Sequence, residues 1–117
     1  IVNIASRAGL DPAQRQGRLT AYGLAKGALV QYTRFLAHEA GPAGVRVNAI
    51  APGAIATARL QATAAARNIG TAGDVANIPL RRLGTAEDIA NAVAFLASDD
   101  AAHVNGEVLR VDGGTLA

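Results

Sequence analysis

Tyr22 and Lys26 stand four residues apart, and Lys26 is the only lysine beside ten arginines. At helical spacing, that puts both side chains on one face, about one turn apart. A free tyrosine titrates near about 10 and is a poor acid or base at neutral pH. An ammonium group held beside the phenol favours the phenolate and brings the pair toward proton-transfer chemistry. A guanidinium could supply the charge, but not the same compact geometry and titratable proton. Alone, the pair reads first as a solvated pair on a helix surface. Ser6 adds a second group, a hydroxyl directly after an apolar stretch. Such a hydroxyl at a strand end can bind a carbonyl oxygen while tyrosine delivers the proton; the plain alternative is a turn residue bonding its own backbone. The third group is Pro52-Gly53-Ala54-Ile55-Ala56-Thr57. Pro and Gly turn the chain sharply there, glycine admits a ligand close to the backbone, and the exposed amides and the Thr57 hydroxyl could hold an amide or phosphate. Thr57 as a helix cap is compatible with that reading.

These groups need elements to hold them. Residues 1–5 are mostly apolar and partly β-branched, which predicts a strand buried on both faces. Residues 6–18 hold Gly9, Asp11, Pro12 and Gly17 and read as a loop. From 20 to about 40 the pattern is helical, with Leu24, Ala28, Tyr32, Phe35 and Leu36 as the apolar face, and Gly41-Pro42 stops it. A second strand is predicted over 45–51, an alanine-rich helix over 57–68, and a mobile connection over 69–84. Thr85 caps a further helix to about Ser98, with Glu87 and Asp88 at the positive end of its dipole. A third strand over 107–111 runs into Asp112-Gly113-Gly114. Strands alternating with helices predict an α/β class: a parallel sheet, right-handed crossovers, helices on both faces.

Composition narrows the functions. A chain of 117 residues is one domain, and at 50% apolar residues it can bury a core. A net charge of +2 with dispersed arginines shows no basic stripe, so no nucleic-acid partner is expected. Cysteine is absent, and His38 and His103 have no ligand-like neighbours, so no metal site is expected either. No apolar run is long enough for a membrane partner.

The motifs then agree in order. Asn3-Ile4-Ala5-Ser6, Tyr22-Gly23-Leu24-Ala25-Lys26 and Val47-Asn48-Ala49-Ile50-Ala51-Pro52-Gly53 with Thr57 resemble the short-chain dehydrogenase/reductase pattern. So do Leu83-Gly84-Thr85-Ala86-Glu87-Asp88-Ile89-Ala90, Phe95-Leu96-Ala97-Ser98 and the segment from Gly106 to Gly114. The likeness is to the 3-oxoacyl-carrier-protein-reductase-like branch, with a slightly longer gap between Ser6 and Tyr22. The resemblance implies the C-terminal half of a doubly wound Rossmann-type sheet. It also implies an NAD(P)-dependent oxidoreductase that moves hydride between a nicotinamide cofactor, NAD or NADP, and a small carbonyl or alcohol substrate. Tyr22 would be the general acid and base, Lys26 would assist it and bond the nicotinamide ribose, and Ser6 would orient the substrate oxygen. Pro52, Gly53, Ile55 (by its backbone) and Thr57 would hold the nicotinamide end, and residues 58–80 would form a substrate-selecting lid. A cytoplasmic homo-oligomer, dimer or tetramer, is implied as well; Ala21, Ala25, Gly27 and Ala28 would allow close approach, to a second subunit or to the chain's own sheet.

The chain opens on strand residues with no initiator Met, so the expectation is that residues 1–117 are the C-terminal part of a single domain. The glycine-rich turn that cradles a pyrophosphate does not occur in it, nor do the family's catalytic asparagine and the residue that separates NAD from NADP. The chain alone is expected to bind dinucleotide poorly and to leave a sheet edge and apolar faces exposed. A second class stays open beside the oxidoreductase: a non-catalytic fragment or degenerate subunit with an assembly role.

Overall fold

The computed structural model describes residues 1–11, 20–58, 60, 62 and 75–116. In chain order the elements are β1 (Val2–Ile4), α1 (Thr20–Ala40), β2 (Asn48–Pro52), α2 (Ala86–Ala97) and β3 (Val108–Val111). Short 3-10 turns cover Arg7–Gly9, Gly41–Ala43 and Asp99–Ala101. The three strands form one parallel sheet in the order β1-β2-β3, with Val2 opposite Asn48 and Ala49 opposite Val108. Both helices and the first and third strands fall close to where the sequence pattern puts them, while β2 begins at Asn48, three residues later than predicted, and includes Pro52. The predicted helix over 57–68 and the start of the predicted connection lie mostly outside the described residues.

The central strand carries the core. Val47, Ala49, Ile50 and Ala51 are fully buried. Asn3 donates from Nδ2 to Thr33 Oγ1 of α1 at 3.0 Å, and Ala5 and Ala49 pack with Val30 of the same helix. Alternation along a strand therefore turns Ile4, Asn48 and Ile50 to the opposite face. There α2 packs along all three strands and Ile50 is closed off completely. Helices lie on both faces, as expected. With that strand order, helices on opposite faces require the two crossovers to have opposite hands, which corrects the expectation of two right-handed ones.

Two further expectations are corrected. β1 is not buried on both faces: Ile4, on the face away from α1, is 44% exposed, and β1 lies at the edge of the described sheet, the open edge that was expected. The buried stripe of α1 is also not the one predicted. Val30, Thr33 and Ala37 face the sheet, while Leu24, Tyr32 and Phe35 are 70%, 55% and 74% exposed. The side that faces the sheet carries Val30, Thr33 and Ala37 rather than the bulkiest apolar residues, so hydropathy alone points to the wrong side.

The connections are held by polar side chains. Buried Asn48 donates to the Val104 carbonyl at 2.9 Å and accepts from the Glu107 amide at 3.0 Å, tying β2 to the entry of β3. The Arg46 guanidinium reaches the carbonyls of Leu96, Ser98 and Val104 at 2.9, 2.9 and 3.3 Å, closing the C-terminal end of α2. Thr85 and Asp88 form a reciprocal capping box at its N-terminal end. Among the described residues no buried side-chain polar atom lacks a partner.

Candidate active site at the strand ends

Because the strands are parallel, Ser6, the segment from Gly53 and the turn at Asp112 all leave the sheet at its C-terminal edge. That edge is where open α/β sheets bind ligands. Ser6 has extended backbone and caps the Arg7–Gly9 turn: its Oγ accepts from the Ala8 amide at 3.2 Å. The plain reading of Ser6 is thus correct, and it leaves the functional one intact. The bond occupies a lone pair, and the hydroxyl hydrogen remains a donor.

Tyr22 and Lys26 share a face of α1 as their spacing requires. The Lys26 ammonium lies 5.8 Å from the centre of the Tyr22 ring, within cation–π range, and donates to the Ile4 carbonyl at 2.7 Å. Ile4 pairs with Ile50, and the Ala5 amide donates to the Ile50 carbonyl. In a parallel ladder this turns the carbonyl of Ile4 itself to the open side of β1. The lysine thus joins α1 to the strand end two residues before Ser6, and Tyr22 is half exposed.

The second loop is packed from below and pinned from the side. A Cβ on Gly53 would lie 2.7 Å from the Asp112 Cα, so only glycine lets this loop lie flush against the turn after β3. Gly53 also donates to the Val111 carbonyl at 3.0 Å. Ile55 and Gly84 form an isolated parallel bridge: the Gly84 amide donates to Ala54 at 3.0 Å, and the Ala56 amide donates to Gly84 at 2.8 Å. In such a bridge the N–H and C=O of Ile55 itself point away from Gly84. Thr57 Oγ1 accepts from the Leu60 amide at 3.1 Å, the capping bond expected of it.

The segment before α2 is less free than its sequence suggests. Residues 75–84 belong to the predicted mobile connection, yet Ile78 is buried, Leu80 donates to the Gly113 carbonyl at 3.1 Å, and Pro79 packs over Gly114. Arg82 forks onto Asp88 at 2.6 and 3.0 Å. That fork, with the Thr85 amide, holds the Asp88 carboxyl well below the usual carboxylate range. A cavity of about 330 Å³ opens here between Ala54, Leu80, Arg82, Asp88, Arg110 and Asp112. None of Ser6, Tyr22 and Lys26 lines it, and its two guanidinium groups are engaged, Arg82 by Asp88 and Arg110 by the Leu116 carbonyl. Sequence spacing missed Gly9 and gave Gly23 no role of its own. A Cβ on Gly9 would lie 2.5 Å from the Gly27 amide nitrogen, and one on Gly23 would lie 3.0 Å from the Ala8 carbonyl. The available signal was a pair of glycines four apart inside a helix, Gly23 and Gly27, where glycine is unfavourable.

Among the described residues no cluster of His, Asp and Glu could hold a metal, and no helix is long and apolar enough to cross a membrane.

The profile of a family described as enoyl-(acyl carrier protein) reductase matches residues 1–115. Cyclohexanol dehydrogenase of Rhodococcus sp. (strain TK6) is 43% identical over 114 residues, 97% of this chain and 41% of that protein. The 3-oxoacyl-(acyl-carrier-protein) reductase of Escherichia coli (strain K12) is 43% identical over 93 residues, 80% of this chain and 37% of that protein. Among solved structures, a blue fluorescent protein from a metagenomic library in complex with NADPH superposes with a TM-score of 0.83 at 36% identity, covering 100% of this chain and 45% of that one. The chain therefore spans less than half the length of the relatives it matches. On the profile match and these identities, the chain belongs to the short-chain dehydrogenase/reductase family.

Proposed function

We propose that this chain carries the proton-transfer groups and the nicotinamide-side loop of an NAD(P)-dependent oxidoreductase acting on a small carbonyl or alcohol. The observation that supports this most is the Lys26 ammonium, lying 5.8 Å over the Tyr22 ring and bonded to the Ile4 carbonyl just before Ser6. A surface pair has no reason to be anchored at a strand end beside a capped hydroxyl.

The loop after β2 fits the flat end of a nicotinamide. Gly53 lies flush on Asp112, and the backbone donor and acceptor of Ile55 are turned away from the Gly84 bridge. Pro52, Gly53, Ile55 and Thr57 would hold the carboxamide end, and Lys26 would bond the ribose. The cofactor, NAD or NADP, would supply the hydride from its reduced form in reduction and take one up on its oxidised form in oxidation. Several solved relatives, the metagenomic protein among them, hold NADP or NADPH, which supports a nicotinamide cofactor here. Ser6 donates its hydroxyl hydrogen to the substrate oxygen and so fixes the carbonyl. Tyr22 donates its phenolic proton to the same oxygen in reduction and recovers one from it in oxidation. The Lys26 charge stabilises the negative charge left on the phenol oxygen. The half exposure of Tyr22 lets solvent restore the proton.

The same reading carries a cytoplasmic homo-oligomer, dimer or tetramer, which the exposed Leu24, Tyr32 and Phe35 side of α1 supports. Substrate choice would fall to the segment after Thr57. The test is Tyr22→Phe in the enzyme carrying this chain: kcat/KM is expected to fall by about 10²- to 10⁴-fold with an unchanged circular dichroism spectrum. Turnover close to wild type would remove Tyr22 as proton donor and leave the assembly reading in its place.

A further inference from the structure

The Arg7–Gly9 turn meets α1 backbone against backbone, in the same helical turn that carries Tyr22 and Lys26. A Cβ on Gly9 would lie 2.5 Å from the Gly27 nitrogen, 2.5 Å from the Lys26 carbonyl carbon and 2.9 Å from the Lys26 oxygen. On the helix side, a Cβ on Gly23 would lie 3.0 Å from the Ala8 oxygen and one on Gly27 would lie 3.3 Å from the Gly9 oxygen. Three glycines thus interlock two backbones. None of the three has a positive φ, so conformation does not demand glycine here; proximity does. Glycine inside a helix is also unfavourable, so Gly23 and Gly27 are retained against the local preference of α1.

Ser6 is tied to this contact by two bonds. The Gly9 amide donates to the Ser6 carbonyl at 3.0 Å, and the Ala8 amide donates to Ser6 Oγ at 3.2 Å. Any displacement of the turn from α1 therefore displaces the Ser6 hydroxyl. On the other side of Ser6, Lys26 holds the Ile4 carbonyl at 2.7 Å. The serine is bracketed along the chain by two links to one helix.

We infer that Gly9, with Gly23 and Gly27, is a positioning residue: it sets the distance from the Ser6 hydroxyl to the Tyr22–Lys26 pair. The inference rests on the proton-transfer roles proposed above. A methyl group at position 9 must open the contact by about 1 Å, from 2.5 Å to an ordinary carbon contact of about 3.5 Å. Backbone atoms on both sides cannot swing away as the tip of a side chain would. A misplacement of that size between two groups acting on one oxygen lowers the rate without touching the cofactor loop.

The experiment is steady-state kinetics on the enzyme carrying this chain, with Gly9→Ala, Gly23→Ala and Gly27→Ala, each alone and with Ser6→Ala. Gly9→Ala is expected to lower kcat on the order of 10- to 100-fold while the cofactor KM moves by less than about threefold. The losses should rank Gly9 above Gly23 above Gly27, following the closeness of the contacts. In the Ser6→Ala background Gly9→Ala should cost less than about twofold more, because the group it positions is gone. In Gly27→Ala better helix propensity opposes the 3.3 Å contact, so a purely structural role predicts a shift of Tm in either direction with an unchanged kcat, whereas a positioning role predicts a lower kcat whichever way Tm moves. If Gly9→Ala does not fold, the Gly23 and Gly27 variants decide by the same comparison. Wild-type kcat in Gly9→Ala, or an undiminished loss in the Ser6→Ala background, overturns the inference. Should Tyr22→Phe abolish turnover while the glycine variants stay fully active, only the positioning role falls; should Tyr22→Phe be fully active, the functional reading falls first.

Discussion

Single side chains at the strand ends serve two purposes at once. Ser6 caps a turn with its lone pair and keeps a hydrogen to give; Thr57 caps the chain that follows it and keeps one as well. Lys26 bonds a strand carbonyl and still presents charge to the Tyr22 ring. Structural and chemical readings of such residues are therefore not rivals. Asp88 is purely structural by the same inspection: it accepts from Arg82 and from the Thr85 amide. These donors depress its carboxyl, with the Arg82 hydrogen bond the largest cause. A depressed carboxyl contributes stability that is complete above its unfolded value and is lost as pH falls toward the folded one. Asp88→Asn is thus expected to be less stable than wild type by a constant margin above about pH 6, and the margin should narrow below about pH 4, read from Tm against pH.

At the scale of elements, the ends of α2 are defined more firmly than its middle. Thr85 was legible as the cap because cap chemistry is local, and the helix begins at Ala86 accordingly, while the return bond from Asp88 that completes the capping box came from the structure. Its other end depends on Arg46, fifty positions away from Leu96 in the chain, and no local pattern announces that. Arg46→Ala removes a charged donor from two carbonyls at the negative end of the helix dipole, Leu96 and Ser98, and from that of Val104 beyond it. The expected cost is about 2 kcal/mol in denaturant unfolding, the scale for hydrogen bonds to a charged group. Helix α1 shows the reverse case. Its boundaries were readable, since Gly41-Pro42 ends it, but its orientation was not. Hydropathy puts Leu24, Tyr32 and Phe35 inward, whereas the inner face is built from Val30, Thr33 and Ala37, with Gly23 and Gly27 against the Arg7–Gly9 turn. Ala21, Ala25 and Ala28 are exposed beside those bulky residues, while Gly27 packs on the chain's own turn, which divides the predicted small-residue set in two.

At the scale of the molecule, the exposed apolar side chains among the described residues include Ile4 on the β1 edge and a second group, Leu24, Tyr32 and Phe35, on the outer side of α1. The second supports self-association through α1, because its exposed apolar residues recur at helical spacing along one side rather than singly. Phe35→Glu places a charge in the middle of that side. If copies of the enzyme meet there, light scattering should show a smaller species than for wild type at the same concentration, with Tm in the monomeric state little changed. An unchanged mass would assign the assembly to another surface.

The amino-acid sequence by itself determined the α/β class and the approximate positions of three strands and two helices, and it marked Ser6, Tyr22 and Lys26 as candidates. Periodicity, caps and a four-residue helical spacing are local quantities, and local quantities can be read along a chain. It also carried enough motif order to indicate the family. Only the tertiary structure decided which side of α1 is buried, that the two crossovers differ in hand, that residues 75–84 are tied to Gly113 and Gly114, and that Gly9 locks into α1. Each of these depends on how closely two distant segments of backbone approach. Glycine lowers that distance by what it lacks, and an absent side chain has no pattern until its neighbour is in place.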